Sequence, residues 1–260
     1  MRKKSQTVKS TAESPKSTRT HTDPKKEGRL RISIGYFYYD LLNLYGDSGN
    51  VRALACHLRE QGVDVTVHRL TLEDPKDIAS YDWIYMGCGI ERSLILALTD
   101  IRKYKEAFQK AIDDGTYILA TGNSFEFFGI EIRMPNKTYP CLGLLDFSTE
   151  YKARTVHDLL LPYGEHQLMG FENHSGVTVE NHEKPFLTSD DRMEGVTKNH
   201  FTGTYTVGPL LVRNPFLCRE LVKNLILTRD PSFRLLEGDY TQEEEAYANS
   251  LKWMQETRLS

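Results

Sequence analysis

The stretch Ile118-Leu119-Ala120-Thr121-Gly122-Asn123-Ser124-Phe125-Glu126-Phe127-Phe128-Gly129 has the outline of a nucleophile elbow. An apolar strand runs into a tight turn and then a helix, the geometry that lifts a reactive side chain above the end of a sheet. The apex, however, is Gly122. Glycine suits the positive φ of such a turn but carries no atom able to attack an electrophile. Ser124, two positions later, is the first hydroxyl after the apex; in the opening turn of a helix a serine ordinarily caps backbone amides, and attack would need a base beside it. A second Gly-rich turn, Gly87-Cys88-Gly89-Ile90-Glu91-Arg92-Ser93, contributes a thiol. With no activating histidine, Cys88 reads as a packed cysteine, because reactivity requires a stabilised thiolate. His157, His166, His174, His182 and His200 are spread without ligand spacing, so no metal site is read.

Placing these groups takes a series of alternating elements. Leu30 to Tyr38 is an apolar, β-branched run suited to a buried strand, followed by the polar loop Asp40 to Asn50 and a helical spacing of Val51, Leu54, Ala55 and Leu58. Gly62 stops that helix, and Val63 to Leu70 alternates as a second strand. Tyr81 to Gly87 supplies a third, helical periodicity runs from about Leu94 to Asp114 with a break near Asp100, and Ile118 to Thr121 is a fourth strand. Strands alternating with helices imply a parallel sheet whose ligands gather beyond the carboxyl ends of the strands. Three loops are expected to meet there: 40–50, 87–93 and 122–124. The later half reads as more β-rich, with Leu144–Phe147, Leu168–Phe171, Val177–Val179 and Phe201–Val207 as short strands, then a helix from about Pro215 to Leu227.

Bulk properties bound the function. The chain has 260 residues, 39% of them hydrophobic and 27% charged, enough for one substantial α/β core. A net charge of -3 argues against phosphate-driven binding of nucleic acid. The four cysteines lack C-x-x-C spacing, which fits reduced thiols in a cytoplasmic protein, and no apolar run approaches the ~20 residues of a membrane span. Residues 1–28 are basic and nearly free of apolar side chains, so they are expected to form a disordered tail, with 29–230 as the folded domain and 231–260 as a helical extension. That extension carries Tyr247, Leu251, Trp253 and Met254 among charged residues, as for a helix docking on the body or on a partner.

Three blocks bring a family into view: Asp40-Leu41-Leu42-Asn43-Leu44-Tyr45-Gly46-Asp47-Ser48-Gly49-Asn50, Gly170-Phe171-Glu172-Asn173-His174-Ser175-Gly176, and Gly203 to Pro215. Together they resemble the class I glutamine amidotransferases of the CobB/CobQ type, and among these the GatD-type glutaminase subunits of lipid II isoglutaminyl synthases. The resemblance spans roughly residues 32–227. It implies an α/β, flavodoxin-like fold, with a mostly parallel sheet flanked by helices and a more β-rich second half. It also implies a MurT-like Mur ligase as partner, glutamine or ammonia as small ligand, and no cofactor.

In that family the elbow reads approximately C-G-G-Y/F-Q, with a cysteine thiolate attacking the glutamine carboxamide and a histidine as base. Here the cysteine position falls on Gly122, the two glycines on Asn123 and Ser124, and the glutamine on Glu126. The family's Y-L-H-G-P becomes Tyr205-Thr206-Val207-Gly208-Pro209, which places Val207 at the histidine. Losing nucleophile and base together removes several orders of magnitude of rate, so a catalytically silent subunit is the expectation. The alternatives are an active amidotransferase using Ser124 or Cys88, or a cobyric-acid-synthase-like amidation protein. The family resemblance also assigns substrate binding to Arg154, Gly87, Cys88, Gly89 and Asn123, and a pocket-shaping hydrogen bond to His174. Glu91 and Glu126 are either carboxylates facing the pocket, where they would favour ammonium or another cation, or solvated helix-end groups.

Overall fold

The computed structural model describes residues 28–190 and 192–259. The expected disordered tail, apart from Gly28, therefore lies outside the described residues.

Ile32, Ile34 and Phe37 bury the first strand, β1 (Arg31–Phe37), on both faces, as a central parallel strand requires. After a loop, α1 (Ser48–Glu60) turns Val51, Leu54, Ala55 and Leu58 inward, and the chain leaves it through Gly62 at φ 78°. There follow β2 (Asp64–Leu70), the fully buried β3 (Trp83–Met86), and α2 (Glu91–Ile101), which passes through a 3₁₀ turn into α3 (Lys105–Asp113). At that break the buried Asp100 carboxylate accepts from Tyr38 Oη and pairs with Lys76 and Lys103. β4 (Tyr117–Thr121) leads into a 3₁₀ helix, Gly122–Phe128, where the sequence suggests an ordinary helix. All seven of its residues are buried.

The second half holds β5 (Glu131–Met134), β6 (Lys137–Pro140), β7 (Ser148–Tyr163), β8 (His166–Val179), β9 (Leu187–Ser189), β10 (Arg192–Glu194), β11 (Val196–Lys198) and β12 (Phe201–Thr204). It closes with α4 (Leu210–Arg213), α5 (Pro215–Arg229) and α6 (Thr241–Leu259). The main sheet runs β11-β12-β4-β3-β1-β2, with every neighbouring pair parallel except β11 with β12. Its parallel part, in the order β2-β1-β3-β4-β12, is the flavodoxin-like winding, which reverses direction between β1 and β3. Leu54, Leu58, Leu225 and Ile226 pack with Ile32, Ile34 and Trp83 on one face, while Leu94, Leu98, Phe108 and Ile112 pack with Phe37, Ile84 and Met86 on the other.

A separate sheet, β6-β5-β7-β8, meets the 3₁₀ helix that follows β4. Here several short-strand readings are corrected. Leu168–Phe171 and Val177–Val179 belong to one long strand, β8, paired antiparallel with β7. Leu144–Phe147 is no strand; its buried apolar side chains mimic one, but its amides at Leu144 and Leu145 donate to the Phe128 carbonyl instead of a ladder. β7 itself, with Lys152, Arg154, His157 and Asp158 along it, has no alternating apolar signal over much of its length. α6 is held by Tyr247, whose hydroxyl meets both the amide and the carbonyl of Gln167, and by the buried Met254. No helix among the described residues is long and apolar enough to cross a membrane.

Candidate functional site

The loops after β1, β3 and β4 converge at the carboxyl edge of the sheet, and one side chain knits them together. Asp47, 1% exposed, accepts from its own loop at the Tyr45 amide, from the β3 loop at the Cys88 amide, from Tyr85 Oη, and from Thr121 Oγ1 at the end of β4. Burial pushes its carboxyl up and these four donors pull it back toward the ionised form. Gly87 and Gly89 let the loops approach closely. A Cβ on Gly87 would stand 2.4 Å from the Leu42 carbonyl oxygen, and one on Gly89 would stand 2.5 Å from Leu42 Cδ2. The sequence marks Asp47 only as part of a polar loop, since its partners lie 38 and more residues away in the case of Tyr85, Cys88 and Thr121.

The elbow has the backbone of a catalytic turn. Gly122 adopts φ 65° directly after β4. A Cβ built on it would meet Cys88 Cβ at 2.5 Å, Cys88 Sγ at 2.6 Å and Val207 Cγ1 at 3.1 Å. The thiol of the neighbouring loop thus stands in the volume that an elbow side chain would use, with Val207 beside it. Val207 is pinned there by paired backbone hydrogen bonds with Phe171. Cys88 is buried, and burial pushes its thiol up to about 12. Ser124 is fully buried and its hydroxyl points at the carbonyls of Met86 and Thr121, both at 3.1 Å, so it caps carbonyl oxygens and not helix amides.

The Gly-rich turn is closed by side chains of the two loops beside it. The Cys88 amide donates to Asp47, the Gly89 amide donates to Asn123 Oδ1 at 3.1 Å, and Asn123 Nδ2 returns a bond to the Gly89 carbonyl at 2.8 Å. Amides of such a turn are the donors that would otherwise face a developing oxyanion.

In front of this wall lies a cavity of about 190 Å³. Cys88, Gly89, Asn123 and Arg154 line it, together with Tyr45, Glu91, Glu126, Tyr151, Asn173 and His174. Gly87, Gly122, Ser124 and Val207 are not among its lining residues. Arg154, on β7, is exposed and gives its Nε to Asn173 Oδ1 at 2.6 Å. His174 holds the Gly176 carbonyl through Nδ1 at 2.6 Å and stacks on Tyr205 with ring centroids 3.8 Å apart.

Glu126 corrects the reading of a solvated helix-end carboxylate. It is fully buried, accepting from Tyr205 Oη at 3.2 Å and Tyr151 Oη at 3.3 Å, and burial lifts it from its ordinary 4.5 to about 8. Glu91 is exposed at the rim, where its charge also disfavours ionisation of Glu126. Tyr151 and Tyr205 carry no sequence signal for this role; only the pairing of β7 with β8 and the seating of Tyr205 beside Phe125 aim their hydroxyls at one carboxyl group.

Comparison with known proteins agrees with this geometry. Residues 33–215 match the family model described as the CobB/CobQ-like glutamine amidotransferase domain. The chain is 31% identical over 197 residues to the GatD subunit of the glutamine-hydrolyzing lipid II isoglutaminyl synthase of Staphylococcus aureus (strain N315), covering 70% of this chain and 79% of the relative. It is 28% identical over 206 residues to the subunit of the same name from Streptococcus pneumoniae (strain ATCC BAA-255 / R6), covering 74% and 79%. Among solved structures, one described as a glutamine amidotransferase superposes with a TM-score of 0.51 at 17% identity, covering 74% of this chain and 98% of the other, a likeness of fold. Since the matched segment takes in the elbow, the Asp47 loop and the β7–β8 pair alike, the chain belongs to the CobB/CobQ-like glutamine amidotransferases.

Proposed function

We propose that this chain is the amidotransferase subunit of a cytoplasmic complex that amidates lipid II, docked on a MurT-like Mur ligase, and that it does not itself hydrolyse glutamine. The first half of this reading is supported by the two GatD relatives, each similar along 79% of its own length. The second is carried by one observation: at the elbow, Gly122 brings no side chain of its own and faces the buried Cys88 thiol and Val207, with no base beside them. The closed Gly-rich turn adds to it, because two of the amides suited to stabilising an oxyanion already have protein acceptors. In such a complex the subunit stabilises or regulates the ligase and amination draws on free ammonia.

A second reading has a specific observation behind it, since the Cys88 thiol stands in the elbow side chain's place. A thiol pushed up to about 12 is almost wholly protonated near neutral pH, which favours the silent subunit. Glutamate release from glutamine separates the two, measured on the purified chain alone and with a Mur-ligase partner. The silent reading expects none above background; release that disappears in Cys88→Ala or Ser124→Ala would establish the active enzyme.

A further inference from the structure

The helix α6 is tied to the body at one end only. In its first two turns Glu243 Oε1 stands 3.0 Å from His57 Nε2, Glu244 pairs with Arg219, and Tyr247 binds Gln167. Beyond them the one buried side chain of α6 among the described residues is Met254, while its neighbour Trp253 is 60% exposed. Between this half of α6 and the wall made by α1 and α4 runs a groove of about 1100 Å³. Ala53 and Cys56 from α1, the 53% exposed Val212 from α4, and Trp253 line it. Arg52 and Arg213 line it too, and among the described residues neither guanidinium has an ion pair or a hydrogen bond. Exposed tryptophan and unpaired arginine on one concave surface are the composition of a protein interface. Its occupant must offer apolar surface with acidic groups beside it. Residues 1–28, with eight Lys and Arg against three Asp and Glu, carry the wrong sign. The complementary surface is on α6 itself. Glu245, Asn249, Trp253 and Glu256, spaced four, four and three residues apart, form one exposed stripe. Glu245 has no ion pair among the described residues, and Glu256 has only a 4.0 Å contact with Lys252.

We propose that a second copy of this chain fills the groove, in a twofold-symmetric dimer where the α6 stripe of each protomer lies in the groove of the other. Trp253 then seats against the partner's Ala53 and Val212, and Glu245 and Glu256 face the partner's Arg52 and Arg213. A twofold axis satisfies both grooves at once, because every protomer carries one groove and one stripe. The apolar contact drives association and the charges fix its register, so the dimer weakens as salt screens them. α6 lies beyond the family-matched segment, 33–215, so half of this interface comes from outside the amidotransferase fold. The three-loop edge with its cavity contributes none of these residues, which leaves that edge open in the dimer.

The test is sedimentation velocity with light scattering on the purified full-length chain over a concentration series. The mass is expected to rise from one chain to two as concentration increases. Trp253→Ala is expected to weaken the dimer by about thirtyfold or more while keeping the thermal unfolding transition, since that side chain is exposed in the single chain. Charge reversal fixes the register. Arg52→Glu with Arg213→Glu makes groove and stripe both acidic, and Glu245→Arg with Glu256→Arg makes both basic, so each double variant alone is expected to run as a single chain. An equal mixture of the two is expected to dimerise, because both contacts then join opposite charges. A single-chain mass for the parent at every concentration overturns the proposal, and so does a dimer indifferent to Trp253→Ala and to both reversals. A mixture that stays monomeric beside a dimeric parent overturns it as well. The silent-subunit reading is untouched by any of these results, since glutamate release tests it separately.

Discussion

Gly122 occupies a position where any side chain meets a filled volume. Restoring a cysteine there puts a Cβ 2.5 Å from Cys88 Cβ and imposes φ 65° on a non-glycine residue. Overpacking and the backbone conformation together are expected to lower stability in Gly122→Cys by about 2 kcal/mol. Cys88→Gly in the same chain vacates that volume and should return part of the loss. Denaturant unfolding of the two single variants and the double variant measures the coupling. Strict additivity would show that the two side chains do not share the space. The same crowding explains why the elbow and the Gly-rich turn are best viewed as one unit: the thiol on one side is tolerated because the other side has none.

Among the elements, the three loops at the sheet edge share one carboxylate. Asp47→Ala leaves the Tyr45 and Cys88 amides without that acceptor and strips one partner from Tyr85 and Thr121. With an unmet buried donor costing roughly 1–3 kcal/mol, a loss of about 3 kcal/mol is expected on chemical unfolding. A change below that of an ordinary surface substitution would mean that the loops hold together without it. At the other end of the molecule, the α6 helix is fastened to the start of β8 through Tyr247 Oη, at 3.2 Å from the Gln167 amide and 2.8 Å from its carbonyl. Tyr247→Phe removes both bonds and keeps the ring against Phe216. Faster amide hydrogen exchange confined to α6 is the expected outcome, and unchanged protection would place the attachment elsewhere.

For the whole molecule, two buried glutamates set the pH dependence of stability. Burial lifts Glu126 to about 8 and Glu194 to about 7, the latter despite bonds from Thr204 Oγ1 and the Tyr205 amide. Both ordinary values are 4.5, so between that pH and about 8 the folded chain holds protons that the unfolded chain has released. Their stabilising effect is complete below the unfolded value and is lost as pH rises through the folded ones. Unfolding free energy is expected to decline across this window. In Glu126→Gln the decline should be shallower, so the variant gains on the parent from acid toward alkaline pH. Parallel curves would show that Glu126 ionises normally.

The alternation of apolar strands with helices, the break near Asp100 and the apex glycine were all legible in the chain, because each is written in periodicity or in a backbone preference over a few neighbouring residues. Such short-range signals suffice for a parallel core, whose central strands are largely apolar and whose edge strand β2 alternates. They fail for β7, where charged residues along a two-sided strand erase the alternation, and for Leu144–Phe147, where burial without a ladder looks like a strand. How the groups lining the cavity are paired was beyond reach for a related reason. Glu126 and Tyr205 are 79 positions apart and Gly89 and Asn123 are 34 apart, so whether a carboxylate is solvated or sealed, and whether an amide is free or taken, depends on contacts that no local pattern encodes. The chain itself showed that the apex of the elbow is a glycine. Only the folded arrangement decided what fills the vacated space and gathers round the unpaired glutamate, because desolvation is a property of the surroundings and not of the residue.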